Sequence, residues 1–161
     1  MIQKFKFFIF CCLSIFFTDN IYPSSYNSLG QTGLINTPSA EVHEEQSAYF
    51  TFNRSNFIKL GTITVTPFDW MEASYFYYRP DDLFWGVTKG LYLDKGFNVK
   101  FTYKPKNILL PRIAIGLDDF AGTGQFTREY IVATYDFKSL KLTSGLGWGK
   151  YAGSSSLKNP L

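Results

Sequence analysis

The chain has 161 residues, and 16 Lys+Arg against 13 Asp+Glu give a formal charge of +3, too mild a balance to argue for a nucleic-acid partner. Aromatic residues make up 19% and charged residues 18%, a composition that excludes disorder, which needs few aromatics and many charges, while near-neutral hydropathy excludes a bundle of membrane helices. One His and the adjacent Cys11 and Cys12 leave little with which to build a zinc or copper site, and no cofactor is expected.

Residues 1–23 read as a signal peptide. Lys4 and Lys6 precede an apolar run from Phe7 to Phe17, long enough for a secretory leader and too short for a membrane span. Cys11 and Cys12 also raise a lipoprotein leader. The large Phe8, Ile9 and Phe10 before them disfavour it, because lipoprotein cleavage prefers small residues there. Residues 24–46 follow as a periplasmic N-terminal segment. Within it His43 stands beside Glu41, Glu44 and Glu45, and a solvated acidic loop is the expected reading.

From residue 47 to 150 no stretch holds a 3.6-residue period, and several hold period two, the mark of a strand with two unlike faces. The expected strands are Ala48 to Asn53, Lys59 to Thr66, Met71 to Tyr78, Gly96 to Lys104, Arg112 to Asp118, Glu129 to Phe137 and Leu140 to Gly149. Turn residues separate them: Arg54-Ser55-Asn56, Pro67, Arg79-Pro80-Asp81-Asp82, Asp94-Lys95-Gly96, Pro105, Gly122-Thr123-Gly124 and Lys138-Ser139. Residues 151–161 read as a flexible tail. The fold class is therefore all-β, with about seven antiparallel up-and-down strands.

Period two alone fits a soluble sandwich or a membrane barrel, since the barrel turns its apolar face to lipid and its polar face to the lumen. Three features favour part of an outer-membrane β-barrel: the export leader, aromatics near strand ends (Tyr49, Trp70, Tyr103, Trp148, Tyr151), and connections that alternate in length. The stretches 80–95 and 118–127 are long; 66–69, 105–111 and 137–139 are shorter, as periplasmic turns are. The short connection Arg54 to Asn56 departs from that rule. Seven strands leave two open edges, and single-chain bacterial barrels have even strand numbers, so the expected barrel is incomplete. The lumen-lining candidates are Glu72, Lys100, Lys104, Arg112, Asp118 and Lys141. They predict a basic interior facing an anionic polymer.

No catalytic constellation emerges, and the chain is not read as an enzyme. Asp81-Asp82 and Asp118-Asp119 are adjacent carboxylates whose side chains point to opposite faces in a strand, so turn chemistry is the expected reading. Gly145-Leu146-Gly147-Trp148-Gly149 looks like a phosphate-binding loop, but no helical pattern follows it. Glycine on the inner face of a barrel strand is the expected role.

Several blocks in order resemble the YjbH/GfcD/WbfB group of outer-membrane proteins. They are Gly30 to Ala40 (GQTGLINTPSA), Pro67 to Glu72 (PFDWME), Asp94 to Lys100, Pro111 to Asp119, Ala121 to Phe126, Glu129 to Ala133, and Gly145 to Gly149. Glu41 stands where that group tends to place a basic residue. The resemblance implies an outer-membrane β-barrel of a Gram-negative bacterium, taking part in exopolysaccharide or capsule export. This chain would be its N-terminal part, since family members are several times longer. The implied partners are outer-membrane lipid, an anionic polysaccharide and other export-machinery proteins, with no nucleic acid. The alternative is a secreted or periplasmic β-sheet module that binds glycan or a protein partner.

Overall fold

The structure is a computed structural model that describes residues 25–55, 58–80, 93–137 and 140–153. The signal-peptide stretch with Cys11 and Cys12, the Asp81-Asp82 pair, Lys138-Ser139 and the end of the tail lie outside the described residues. Two short strands come first, β1 (Gly33–Leu34) and β2 (Thr37–Pro38), paired as an antiparallel ribbon. They fall inside the N-terminal segment, for which no strand is expected from the sequence.

Seven longer strands follow: β3 (Ser47–Arg54), β4 (Ile58–Phe68), β5 (Met71–Pro80), β6 (Asp94–Tyr103), β7 (Arg112–Asp118), β8 (Arg128–Phe137) and β9 (Leu140–Trp148). They form one sheet in sequence order, every neighbour antiparallel. Each of the seven expected strands is present. A 3-10 turn at Lys150–Ala152 closes the described chain.

Several boundaries differ by one or two residues, and two strands show the largest differences that bear on the site. β4 is expected from the sequence to stop at Thr66, with Pro67 as a turn residue. Instead the register shifts between Val65 and Phe68, and pairing resumes at Phe68 opposite Met71. The bulge sets Pro67 where no ladder hydrogen bond is required of it. β6 starts two residues early, at Asp94, and ends at Tyr103, leaving Lys104 outside the strand.

The two sides of the sheet have opposite chemistry. Phe50, Phe52, Ile63, Phe97, Phe101, Ile113, Ile115, Leu117, Ile131, Leu142 and Leu146 all face outward and are exposed. The alternate residues, mostly polar, are buried: Thr62, Thr64, Thr66, Glu72, Ser74, Asn98, Lys100, Thr102, Asp118, Arg128 and Thr134. Residues 25–43 cover this polar side. Among the described residues, the fully buried apolar side chains beneath them form two small clusters. Leu29, Leu60, Phe76 and Tyr78 form one; Ala40, Ala114, Tyr130 and Val132 form the other.

Candidate functional site

The covered polar side is the candidate site. The segment over it crosses the strands without joining their ladder, so its backbone groups need other partners. Side chains of the strands supply them. Asn53 Nδ2 donates to Ser28 O at 3.1 Å, Thr62 Oγ1 to Leu29 O at 3.0 Å, and Thr64 Oγ1 to Gly30 O at 2.8 Å. Further along, Thr102 Oγ1 donates to Ala40 O at 2.6 Å, and Thr134 Oγ1 accepts the Ala40 N–H at 2.9 Å. Threonine suits this work, because a β-branched side chain is favoured in a strand and its hydroxyl stands off the sheet. Gly30 sits so close to β4 that a Cβ there would lie 2.6 Å from the Thr62 Cβ, and its φ of 81° is one that glycine adopts without penalty.

At the centre lies an ion pair. Lys100 Nζ is 3.0 Å from Glu72 Oε1, and both side chains are fully shielded from solvent. The two residues are direct cross-strand partners on β5 and β6. Thr32 completes the arrangement. Its N–H donates to Glu72 Oε1 at 3.0 Å, its hydroxyl donates to Oε2, and its carbonyl accepts from Lys100 Nζ at 3.0 Å. The buried charges are thus paired and hydrogen-bonded through the segment that covers them, as a buried pair requires.

A second pair lies toward the far ends of β7 and β8. Arg128 Nε donates to Asp118 Oδ2 at 2.8 Å, and Arg128 also reaches Asn36 O at 2.6 Å. Its guanidinium lies 5.0 Å from the Tyr151 ring centroid. Tyr151 also shares a hydrogen bond with Ser28 at 2.7 Å and packs edge-on against Phe126, so the first tail residue is held against the segment. At the opposite end, Glu41 meets Lys141 at 2.6 Å and Arg112 at 3.3 Å, and Arg112 also pairs with Asp136.

The six sequence-predicted residues are therefore placed as follows. Glu72, Lys100 and Asp118 are buried on the covered side. Arg112 and Lys141 stand at its margin and converge on Glu41. Lys104 lies past the end of β6 and is exposed. Each of the cations Lys100, Arg112, Arg128 and Lys141 already has a carboxylate partner. The side is a set of compensated pairs rather than the basic surface expected from the sequence.

Other placements also differ from expectation. His43 is not in a solvated loop. It is 6% exposed, with its ring 4.7 Å from that of Tyr26 and 4.1 Å from that of Tyr49. Burial holds its imidazole below the usual value, against the opposing pull of the Glu72 carboxylate. Asp118 and Asp119 do not diverge to a wet and a dry face; both are buried, because Asp119 leaves the strand at a φ of 52°. The Asp119 carboxylate accepts the Phe126 N–H at 3.0 Å, which ties the loop 119–126 back on itself, and burial raises its pKa. Gly145 and Gly147 are followed by a 3-10 turn and, among the described residues, no α-helix, which does not fit a dinucleotide loop. Both glycines line a cleft of about 460 Å³ together with Asn36, Pro38, Arg128, Tyr130 and Tyr151.

Sequence reasoning missed Thr32, Arg128 and the threonine donors. Thr32 carries no periodic signal, and Arg128 sits one residue before the expected start of β8. The alternation of Thr62, Thr64 and Thr66 was visible, but not what those hydroxyls would bind.

Among known proteins, the YjbH family, described as exopolysaccharide biosynthesis protein YbjH, matches residues 25–161. The chain is 31% identical over 144 residues to a protein of Escherichia coli (strain K12) named "Uncharacterized lipoprotein YjbH". That alignment covers 85% of this chain and 20% of the relative, so the chain spans about a fifth of the length of the curated relative it matches. No solved structure matches it. The ordered blocks at Gly30–Ala40, Pro67–Glu72 and Pro111–Asp119 thus have their explanation: the chain belongs to the YjbH family of exopolysaccharide biosynthesis proteins.

Proposed function

We propose that this chain forms part of the wall of an outer-membrane β-barrel that takes part in exopolysaccharide or capsule export, with a non-catalytic role. The observation that carries the reading is the inverted sheet. Seven consecutive strands turn apolar side chains outward and polar ones inward onto a covering segment. In water such a sheet would expose a large contiguous apolar surface; in a bilayer the same surface is solvated by lipid. Membership of an exopolysaccharide biosynthesis family supplies the process.

β3 and β9 are edges of the sheet among the described residues. Unpaired backbone groups are not tolerated in hydrocarbon, so in this reading further strands complete the wall. The relative's name, lipoprotein, supports a cell-envelope location. It also gives weight to Cys11 or Cys12 as a lipid attachment point, the leader type the sequence alone disfavours.

The test uses the complete gene product. It should fractionate with outer membranes, migrate differently on gels before and after heating, and restore surface exopolysaccharide to a strain lacking the gene. Recovery as a detergent-independent soluble protein would support the periplasmic module instead. Unchanged exopolysaccharide in the deletion strain would remove the export role.

A further inference from the structure

The turn between β6 and β7, residues 104–111, does not look like a water-facing hairpin. Such turns carry Gly, Asn, Asp and Ser. Here Ile108, Leu109 and Leu110 stand in a row, exposed to 87%, 71% and 55%. A run of three exposed apolar residues is unfavourable in water unless something receives it.

The exposure is built into the turn. The Leu109 N–H donates to Asn107 Oδ1 at 2.9 Å, and the Leu110 N–H to Asn107 O at 3.1 Å. Pro105 and Pro111 bracket the stretch and limit its backbone freedom. The turn thus presents the three side chains rather than fraying to show them.

Its charge and its surroundings are equally one-sided. Lys104 and Lys106 are exposed, no acid lies in residues 104–111, and neither lysine meets a carboxylate among the described residues. The turn grows from the end of the sheet where aromatic rings gather on the outward side. Phe68 stacks on Trp70 at 5.1 Å, Trp70 stacks on Phe101 at 6.1 Å, and Tyr103 is exposed beside them.

We infer that residues 104–111 dock into the headgroup layer of an anionic phospholipid leaflet, Ile108, Leu109 and Leu110 entering the interface while Lys104 and Lys106 meet phosphates. The inference rests on the barrel reading and deepens it by assigning this end of the sheet to the phospholipid side. Apolar residues flanked by lysines, next to an aromatic rim, are the pattern of an interfacial anchor. Lysines near an anionic surface add an attraction that neutral lipid does not supply.

The experiment places a dansyl-bearing amino acid at Leu109, or in a second variant at Ile115 on the outward side of β7, in the complete gene product. Each is reconstituted in vesicles of phosphatidylethanolamine and phosphatidylglycerol. Emission from position 109 should be quenched by lipids brominated near the headgroup, and emission from 115 by lipids brominated at mid-chain. The K104Q/K106Q variant should lose quenching at 109 and keep it at 115. Quenching at 115 without quenching at 109 overturns the anchor and leaves the barrel standing, as it would if a protein partner covered the turn. Quenching at 109 that ignores the lysines and the phosphatidylglycerol content overturns the choice of anionic lipid. Absence of quenching at both positions overturns anchor and barrel together.

Discussion

At the scale of single residues, Lys100 and Glu72 hold the covering segment through one threonine. Lys100→Met would leave the Glu72 carboxylate buried without its cation, at a cost of about 3–5 kcal/mol. Glu72→Gln combined with Lys100→Met removes both charges, keeps an acceptor for the Thr32 N–H, and should recover much of that loss. Urea unfolding of the complete protein in detergent, followed by tryptophan fluorescence, would show the single variant's midpoint well below the double variant's. Equal midpoints would mean that the pair is not buried as described. His43 makes the same segment sensitive to acid. Its ring packs against both Tyr26 and Tyr49, and burial lowers its pKa from 6.5 while Glu72, Glu41 and Glu44 oppose the shift and Lys100 adds to it. The unfolded segment therefore binds the proton more readily than the docked one, and stability rises with pH in that window. Docking should be at full strength above 6.5 and weaken as pH falls below it. Protease cleavage near His43 should thus increase on acidification, and His43→Phe should flatten that dependence.

At the scale of elements, the strands were legible and their covering was not. Period two in Gly96–Lys104 and Arg112–Asp118 reports two unlike faces, and local sterics do the rest, so β6 and β7 could be read directly. Nothing periodic marks residues 25–43, because a segment held by its backbone carbonyls leaves few side-chain constraints to read. Pro67 misled in a different way: a proline forbids a ladder bond but not a bulged strand, and the bulge depends on the partner strand. The hydroxyl ladder offers a test of how the segment is held. Replacing Thr62, Thr64 and Thr102 with Val removes three hydroxyl donors from Leu29, Gly30 and Ala40 carbonyls, each loss costing about 1 kcal/mol. Amide exchange in residues 28–41 should then accelerate by roughly a hundredfold or more if the losses add, while β6 to β8 keep their protection. Thr66 is the control, because its buried hydroxyl has no partner among the described residues. Thr66→Val should be neutral or slightly stabilising.

At the scale of the whole molecule, the question is which solvent the apolar side meets. The facing of the charges already leans one way. Lys100 and Glu72 are cross-strand partners on the covered side, while the residues between and beyond them along β5 and β6 put Phe97 and Phe101 outward. A sandwich would bury that outward side against a second sheet, and the one other sheet among the described residues, the β1–β2 ribbon, belongs to the segment on the covered side. Ile115 stands in the middle of β7, an interior strand of the sheet, and is 54% exposed. If the side faces hydrocarbon, Ile115→Lys places a charge near the bilayer midplane and should destabilise the protein by about 2–4 kcal/mol, and Ile115→Leu should change little. If the side faces water, the lysine is solvated and its cost should stay within about 0.5 kcal/mol, as for ordinary surface changes. If a partner protein covers it, the lysine is costly only when that partner is present. Urea titration of the complete protein in lipid vesicles therefore decides the matter. A loss of 2–4 kcal/mol in vesicles of pure lipid and purified protein is the barrel's outcome. A neutral lysine would mean that the exposed apolar side is not a lipid-facing surface, and the wall reading would fall with it.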